Sequence, residues 1–350
     1  MSGLSFMVES LLTWYDANAR VLPWRDNPTP YRVWISEIML QQTRVEAVKP
    51  YFERFVHALP DIPSLAAADE ELLLKLWEGL GYYNRVRNLK KAAVQVMEQW
   101  GGRLPEDYKQ LETLPGIGFY TAGSISSIAF DRPVPCVDGN VLRVITRLTA
   151  CGDDIGKAAT KTKIFEWIGQ VLPPVRAGDV NQSLMELGAT VCLPNAAPLC
   201  GRCPLQSWCK AHLAGEEEHY PVKQKKKQRK VQDRTVFLLF YEDKVGLCRR
   251  PETGLLRGMW EFFCVEGRLD GQQAQNALRE RGLSFSGLQP LPDAKHIFTH
   301  IEWHMTGFSV TLEKPADGVT FVTGKQLEAD YALPSAFRTY TAAAKQRLSK

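Results

Sequence analysis

The chain has no uninterrupted apolar run approaching 18 residues, so no membrane-spanning helix is expected. Its opening stretch, Met1 to Ser10, carries an acidic Glu9 where a secretory signal needs a basic start and an apolar core, and a cytoplasmic protein is expected. No internal repeat or collagen-like period runs through it. Charge of one sign is also scarce. The 43 Lys and Arg stand against 39 Asp and Glu, a net of +4, which permits a polyanionic partner without demanding one. Length and apolar content are what the chain does have. At 350 residues two domains are expected, and 45% hydrophobic with 23% charged residues is enough to pack both.

From Glu9 to about Leu213 apolar residues recur at three and four, and Pro50, Pro60, Gly79, Gly101, Pro115, Pro133 and Pro173 punctuate a series of helices. An all-α domain over residues 1–215 is expected. The stretch 216–233 differs: Lys223 to Lys230 reads KQKKKQRK, six basic residues in eight with nothing apolar, which is the composition of an exposed basic linker. Beyond it, TVFLLFY (Thr235 to Tyr241) and KVGLCRR (Lys244 to Arg250) read as paired strands. Another apolar segment follows at Met259 to Val265, then a helix at Gln272 to Arg281 and one or two strands over His296 to Leu312. Residues 234–350 therefore form a second, mixed α/β domain, and the whole is a multi-domain α+β chain.

Four segments carry chemistry. In LETLPGIGFYTAGSI (Leu111 to Ile125) a helix ends at Leu114, a Pro-Gly-Ile-Gly hairpin follows, and a second helix opens at Phe119. Gly116 and Gly118 can turn backbone N–H groups outward beside a helix N-terminus, a cradle for a phosphate; the other reading is a plain helix corner. Of eight cysteines, Cys136, Cys151, Cys248 and Cys264 are scattered, whereas Cys192, Cys200, Cys203 and Cys209 fall in one loop, 192–209. In a chain without an export signal that clustering favours metal ligation over disulfides, and the uneven spacing with a single C-x-x-C suits an iron-sulfur cluster somewhat better than zinc. Glu37 lies in the helical run Tyr31 to Lys49 among Val33, Trp34 and Leu40. It is either a surface residue or a carboxyl whose desolvation raises its pKa for general-acid work. Asp138, just before the helical run Val141 to Leu148, is an N-cap by its position.

In order along the chain, PWRDNPTPYRVWISEIMLQQTRVEAVKPYFERF, LWEGLGYYNRVRNL, LPGIGFYTAGSI, VDGNVLRV, NQSLMELGATVC and the four-cysteine loop resemble a MutY-type adenine DNA glycosylase of the endonuclease III superfamily, and the second domain resembles that family's Nudix-related domain. The resemblance implies a helix-hairpin-helix glycosylase domain with a [4Fe-4S] cluster on Cys192, Cys200, Cys203 and Cys209. It implies action on double-stranded DNA, with adenine mispaired with 8-oxoguanine or guanine flipped out and excised in base excision repair. On matching positions Glu37 would protonate the adenine ring and Asp138 would stabilise the cationic deoxyribose, with Tyr120 and Asn140 ordering them. Arg25 and Gln182 would line the adenine pocket. Gln42 and Tyr82 would wedge into the duplex, Thr43 and Leu80 would lie beside 8-oxoguanine, Gly116 and Gly118 would hold phosphate, and Phe298, Thr299 and His300 would read the lesion. For Tyr82 and its neighbour Tyr83, a place inside the helical core is the other reading.

Bifunctional members of the superfamily carry a lysine nucleophile where this chain has Tyr120, so a monofunctional enzyme using water is implied. The first cysteine gap is seven residues, where six is the commoner spacing, and Thr299 stands where the family's loop has serine. The stretch Gln275 to Gly282 keeps only Glu280 of the glutamates a Nudix box needs for magnesium, so the second domain is expected to read and not to hydrolyse. The alternatives are an endonuclease III-like pyrimidine-damage or thymine-mismatch glycosylase, a non-catalytic lesion-binding protein, and a Nudix hydrolase with a helical appendage. Nothing in the sequence calls for more than a monomer.

Overall fold

The computed structural model describes residues 2–194, 196–224 and 228–349; Lys225 to Lys227 of the basic run lie outside the described residues. Two compact units divide the chain, residues 1–68 with 84–225 and residues 69–83 with 226–350.

The first unit has helices and short 3-10 turns and no strand among the described residues. Its longest helices are Ser2–Asn18, Val45–Ala58, Asn84–Trp100 and Ala177–Thr190; Phe119–Phe130 is shorter, Pro30–Leu40 carries Glu37, and Asp138 caps Gly139–Thr149. Leu11, Val141, Ile145, Leu148, Ile168, Leu184 and Leu187 pack one of its cores. Two glycines let helices meet at backbone distance. A Cβ on Gly178 would lie 2.5 Å from the Ser127 carbonyl oxygen, and one on Gly188 would lie 2.5 Å from Asn140 Cβ.

The run expected to be one helix from Tyr31 to Lys49 is two, Pro30–Leu40 and Val45–Ala58. Thr29 caps the first and Pro30 sits at its first position, where the missing N–H costs nothing. Its far end is closed from a distance: Arg85 Nη1 donates to the carbonyls of Ile38, Met39 and Gln41 at 2.9, 2.8 and 2.6 Å. Gln42 then takes a left-handed φ of 61° and the chain turns. Pro50, expected to end a helix, lies inside Val45–Ala58 instead. The helix tolerates it because Val48, Phe52 and Phe55 on one face are fully buried.

The strands of the second unit are β1 (Lys230–Tyr241), β2 (Lys244–Arg249), β3 (Trp260–Glu261), β4 (Phe263–Glu266), β5 (Phe285–Ile297), β6 (Ile301–Leu312) and β7 (Thr320–Val322). They form a seven-stranded sheet of order β3-β2-β1-β6-β5, with β4 also pairing β1 and β7 pairing β2. Central β1 runs parallel to β6, and the other pairings are antiparallel. Val236, Leu238 and Phe240 face a core closed by Tyr340 and Ala344 of the helix Arg338–Leu348. Phe237 and Leu239 face the opposite core, closed by Ala274 and Leu278 of the helix Gly271–Glu280. Burial on both faces is why this strand is an unbroken apolar run. β1 begins at Lys230, inside the stretch expected to be linker, because its first residues pair with Ile301 to His304 of β6.

Residues 69–83 fall within the expected first domain but cluster with the second unit. Asp69 caps the helix Glu70–Leu76. Lys75 Nζ then donates to the Tyr331 carbonyl at 3.1 Å, Glu78 accepts from the Leu333 amide at 2.8 Å, and Glu71 accepts from Trp260 Nε1 at 3.2 Å while pairing with Arg249.

Candidate active site

Glu37 is buried, 6% exposed, on the helix Pro30–Leu40, between Ile35 and Ser36 on one side and Ile38 and Met39 on the other. Tyr120, in the first turn of Phe119–Phe130, donates its hydroxyl to Glu37 Oε2 at 2.5 Å. Burial pushes the Glu37 carboxyl up to about 6; the Tyr120 bond opposes that shift and the nearby Asp138 adds to it. The Tyr120 hydroxyl itself is held far above its ordinary range, first by burial and then by the Glu37 charge, so it stays a donor. Of the two sequence readings of Glu37, the surface residue is set aside, because the side chain is buried.

Asp138 is the N-cap of Gly139–Thr149, its Oδ1 accepting from the Val141 amide at 2.7 Å. Oδ2 accepts from Asn140 Nδ2 at 2.8 Å. Burial raises its carboxyl while these bonds work the other way. Asn140 is held in turn by Arg143, which is 7% exposed and donates to Asn140 Oδ1 at 2.8 Å and to the carbonyls of Gly188 and Cys192 at 2.7 Å each. Ahead of Asp138, Asn181 fixes the chain by accepting from the Cys136 amide at 3.0 Å and donating to the Val134 carbonyl at 2.8 Å. Nothing in the sequence marks Asn181 or Arg143, since a polar residue within a helix carries no sign of the partner it will meet.

Arg25 and Gln182 are also brought together, with Arg25 Nε donating to Gln182 Oε1 at 3.0 Å. Arg25 Nη2 reaches Glu186 Oε2 at 2.9 Å, and its guanidinium lies 5.5 Å from the Tyr15 ring centroid. Glu186, absent from the sequence-based set, is 1% exposed and also pairs with Arg20.

The four clustered cysteines line one small cavity with Arg147, Gln206, His212 and Glu217. Burial, and then the carboxylate of Glu217 and neighbouring sulfurs, push the Cys200 thiol up to about 11; burial and the other sulfurs push Cys203 to about 12. Arg147 Nη1 donates to Cys192 Sγ at 3.2 Å. Converging thiols that disfavour one another's ionisation, with a guanidinium against one of them, fit a thiolate-bound metal cluster, whose positive charge would reverse that penalty. Held there, such a cluster would tie together the loop that begins where Arg143 and Arg147 grip Cys192.

Residues 35–170 match the family described as HhH-GPD superfamily base excision DNA repair protein, and residues 235–343 match a NUDIX domain. The adenine DNA glycosylase of Rattus norvegicus is 35% identical over 373 residues, covering 90% of this chain and 72% of its own. That of Buchnera aphidicola subsp. Acyrthosiphon pisum is 33% identical over 303 residues, covering 86% and 85%. The chain belongs to the adenine DNA glycosylase family. Among solved structures, a thermostable thymine-DNA glycosylase superposes on this family member with a TM-score of 0.53 at 28% identity, covering 59% of this chain and 95% of that one. A trapped endonuclease III–DNA covalent intermediate shares the fold, with a TM-score of 0.53 at 23% identity over 61% of this chain and 97% of that one.

In this chain the hairpin glycines differ in what they do. Gly116 has a left-handed φ of 81° and a Cβ there would lie 2.9 Å from Asn88 Cβ, so only glycine fits. Gly118 is extended, a Cβ there would meet nothing within 4 Å, and as N-cap of Phe119–Phe130 it brings no side-chain cap. Gln42, in the first unit, holds its left-handed φ of 61°; Thr43 accepts from Arg85 Nη2 at 3.2 Å. In the second unit Leu80 is buried, whereas Tyr82 is 47% exposed with a left-handed φ of 50°. Tyr82 is therefore not a core aromatic, while Tyr83 is, at 5% exposed. Left-handed backbone at bulky residues is strain that surroundings must sustain. The Tyr82 hydroxyl lies 3.2 Å from Thr299 Oγ1, in the turn between β5 and β6, and Phe298 stacks edge-on to Trp303 with ring centroids 4.9 Å apart. His300 closes this turn, its carbonyl accepting from the Lys230 amide at 3.1 Å.

Proposed function

We propose that this chain is a monofunctional DNA N-glycosylase of base excision repair that hydrolyses the bond between deoxyribose and an adenine mispaired with 8-oxoguanine or guanine. The observation that carries the reading is the buried Glu37 carboxyl, pushed up to about 6 and held by Tyr120. A carboxyl titrating there is about one-tenth protonated at pH 7, enough to deliver a proton to a ring nitrogen of the departing base. The proton goes to adenine and the glycosidic bond breaks with its electron pair leaving on the base. The positive charge left on the sugar is opposed by ionised Asp138, whose orientation is set by the Val141 amide and Asn140. Water then adds to the sugar and loses a proton, because Tyr120 stands where an amine nucleophile would be needed for a covalent route.

Arg25 and Gln182 bind the flipped base, Gln42 and Tyr82 hold the vacated duplex, and the hairpin at Gly116 and Gly118 holds phosphate. Thr43 and Leu80 sit beside the lesion, which Phe298, Thr299 and His300 read. The working division follows the two compact units, residues 1–68 with 84–225 for excision and residues 69–83 with 226–350 for lesion reading, acting as a cytoplasmic monomer. Cys192, Cys200, Cys203 and Cys209 would hold a [4Fe-4S] cluster, which when bound would supply a fixed four-thiolate crosslink of this loop. The test is a panel of duplexes bearing A, T, U or an abasic site opposite G or 8-oxoguanine. Release of adenine alone supports the reading, and preferred release of T or U overturns it in favour of the pyrimidine-directed alternative.

A further inference from the structure

One buried carboxylate of the first unit has no part in the chemistry above. Glu186 accepts from Arg20 Nε at 2.5 Å and Nη2 at 3.1 Å, and from Arg25 Nη2 at 2.9 Å. Burial pushes its carboxyl up, but the Arg20 bonds and the charges of both arginines outweigh burial and hold it below the usual carboxylate range. Arg25 is thus fixed at Nη2 by Glu186 and at Nη1 by the Arg20 carbonyl at 3.1 Å. Its remaining Nε–H goes to Gln182 Oε1 at 3.0 Å.

A guanidinium only donates, so the Gln182 amide has one allowed orientation here: oxygen toward Arg25, NH2 away from it. Glu186 and Gln182 stand four residues apart on one helix, Ala177–Thr190, and so share a face. We infer that Glu186 is a positioning residue that sets the polarity of the base pocket, locking Arg25 so that Gln182 presents hydrogen-bond donors to an acceptor nitrogen of the purine. Without the Glu186 charge Arg25 keeps only the Arg20 carbonyl and the Tyr15 ring to hold its fork, and the Gln182 amide is free to turn its oxygen to the base, where it repels that nitrogen. The inference rests on Gln182 being a pocket residue, as proposed above.

The test is a double-mutant cycle read by single-turnover excision of adenine opposite 8-oxoguanine, at saturating enzyme and with half-saturation measured separately. Glu186→Gln and Gln182→Ala should each slow excision about 10- to 100-fold, the scale of one lost polar contact in a buried site. Because both act on one contact, the double variant should be within about threefold of the slower single variant. Glu186→Asp, which keeps the charge, should recover part of the rate. If Glu186→Gln does not fold, Arg25→Lys takes its place in the cycle, since lysine keeps a cation beside Glu186 but has no planar fork to bridge it to Gln182. Losses that multiply, or a Glu186→Gln enzyme at wild-type rate, overturn the inference alone. A Gln182→Ala enzyme at wild-type rate overturns the pocket assignment and the inference with it.

Discussion

Replacing Glu37 by Gln keeps the side chain's shape and an oxygen for Tyr120 to bond, and removes only the ability to ionise. In the folded protein the carboxyl titrates near about 6, against an ordinary 4.5, because burial disfavours the anion. The folded state therefore holds this proton more tightly than the unfolded chain. Its contribution to stability is complete below pH 4.5 and is lost as pH rises through 6. That interval corresponds to about 2 kcal/mol of destabilisation in neutral buffer. Glu37→Gln should accordingly be more stable than the parent at pH 7.5 by up to about 2 kcal/mol, a rise in Tm of roughly 4 to 8 °C for a domain of this size. The gap should close toward pH 4, where both side chains are neutral. Thermal melts followed by circular dichroism from pH 4 to 8 measure both ends. A variant that melts below the parent at pH 7.5, or a gap that does not change with pH, would falsify the assignment of Glu37 as a desolvated carboxyl.

Asp138→Asn keeps a good N-cap for Gly139–Thr149, so stability should change by less than about 1 kcal/mol while single-turnover excision falls about 10²- to 10³-fold; a parallel loss of both would mean the residue serves the helix alone. Thr299→Ala removes the hydroxyl that meets Tyr82, and excision opposite 8-oxoguanine should fall about fivefold with little change opposite guanine; equal losses on the two duplexes would deny it a reading role. Protein purified without oxygen should carry about four irons per chain, and metal analysis that finds stoichiometric zinc and no iron would exclude the cluster.

The sheet and the acidic centre differ in how much of them the sequence made legible. TVFLLFY reads directly as one of two paired strands, and β1 does pair β2; that Val236 and Phe237 point to opposite cores is seen only in the fold. Asp138 before a helical run reads directly as a cap, because capping is local. Glu37 is ambiguous from its helix alone, since Tyr120 and Asp138, which act on it in the fold, are both remote in sequence. The break between Leu40 and Val45 was not legible for the same reason: its cause is Arg85, more than forty residues along, taking three carbonyls of the helix end. The Arg20–Arg25–Glu186 group joins positions some 160 residues apart, and nothing in LMELG marks its glutamate as buried between two arginines. Segment 69–83 carries an ordinary capped helix; only its partners Trp260, Tyr331 and Leu333 assign it to the second unit.

The central claim is that a buried acid in a helical domain releases adenine, and the most direct test compares the parent with Glu37→Gln on a duplex carrying adenine opposite 8-oxoguanine under single-turnover conditions across pH 5 to 9. The parent should release free adenine, with a rate that declines as pH rises above about 6, where Glu37 loses its proton. Glu37→Gln should bind the duplex as tightly, excise about 10²- to 10⁴-fold more slowly or worse, and lack that decline. Release of adenine by the Gln variant at close to the parent's rate, with the same pH profile, would contradict the account.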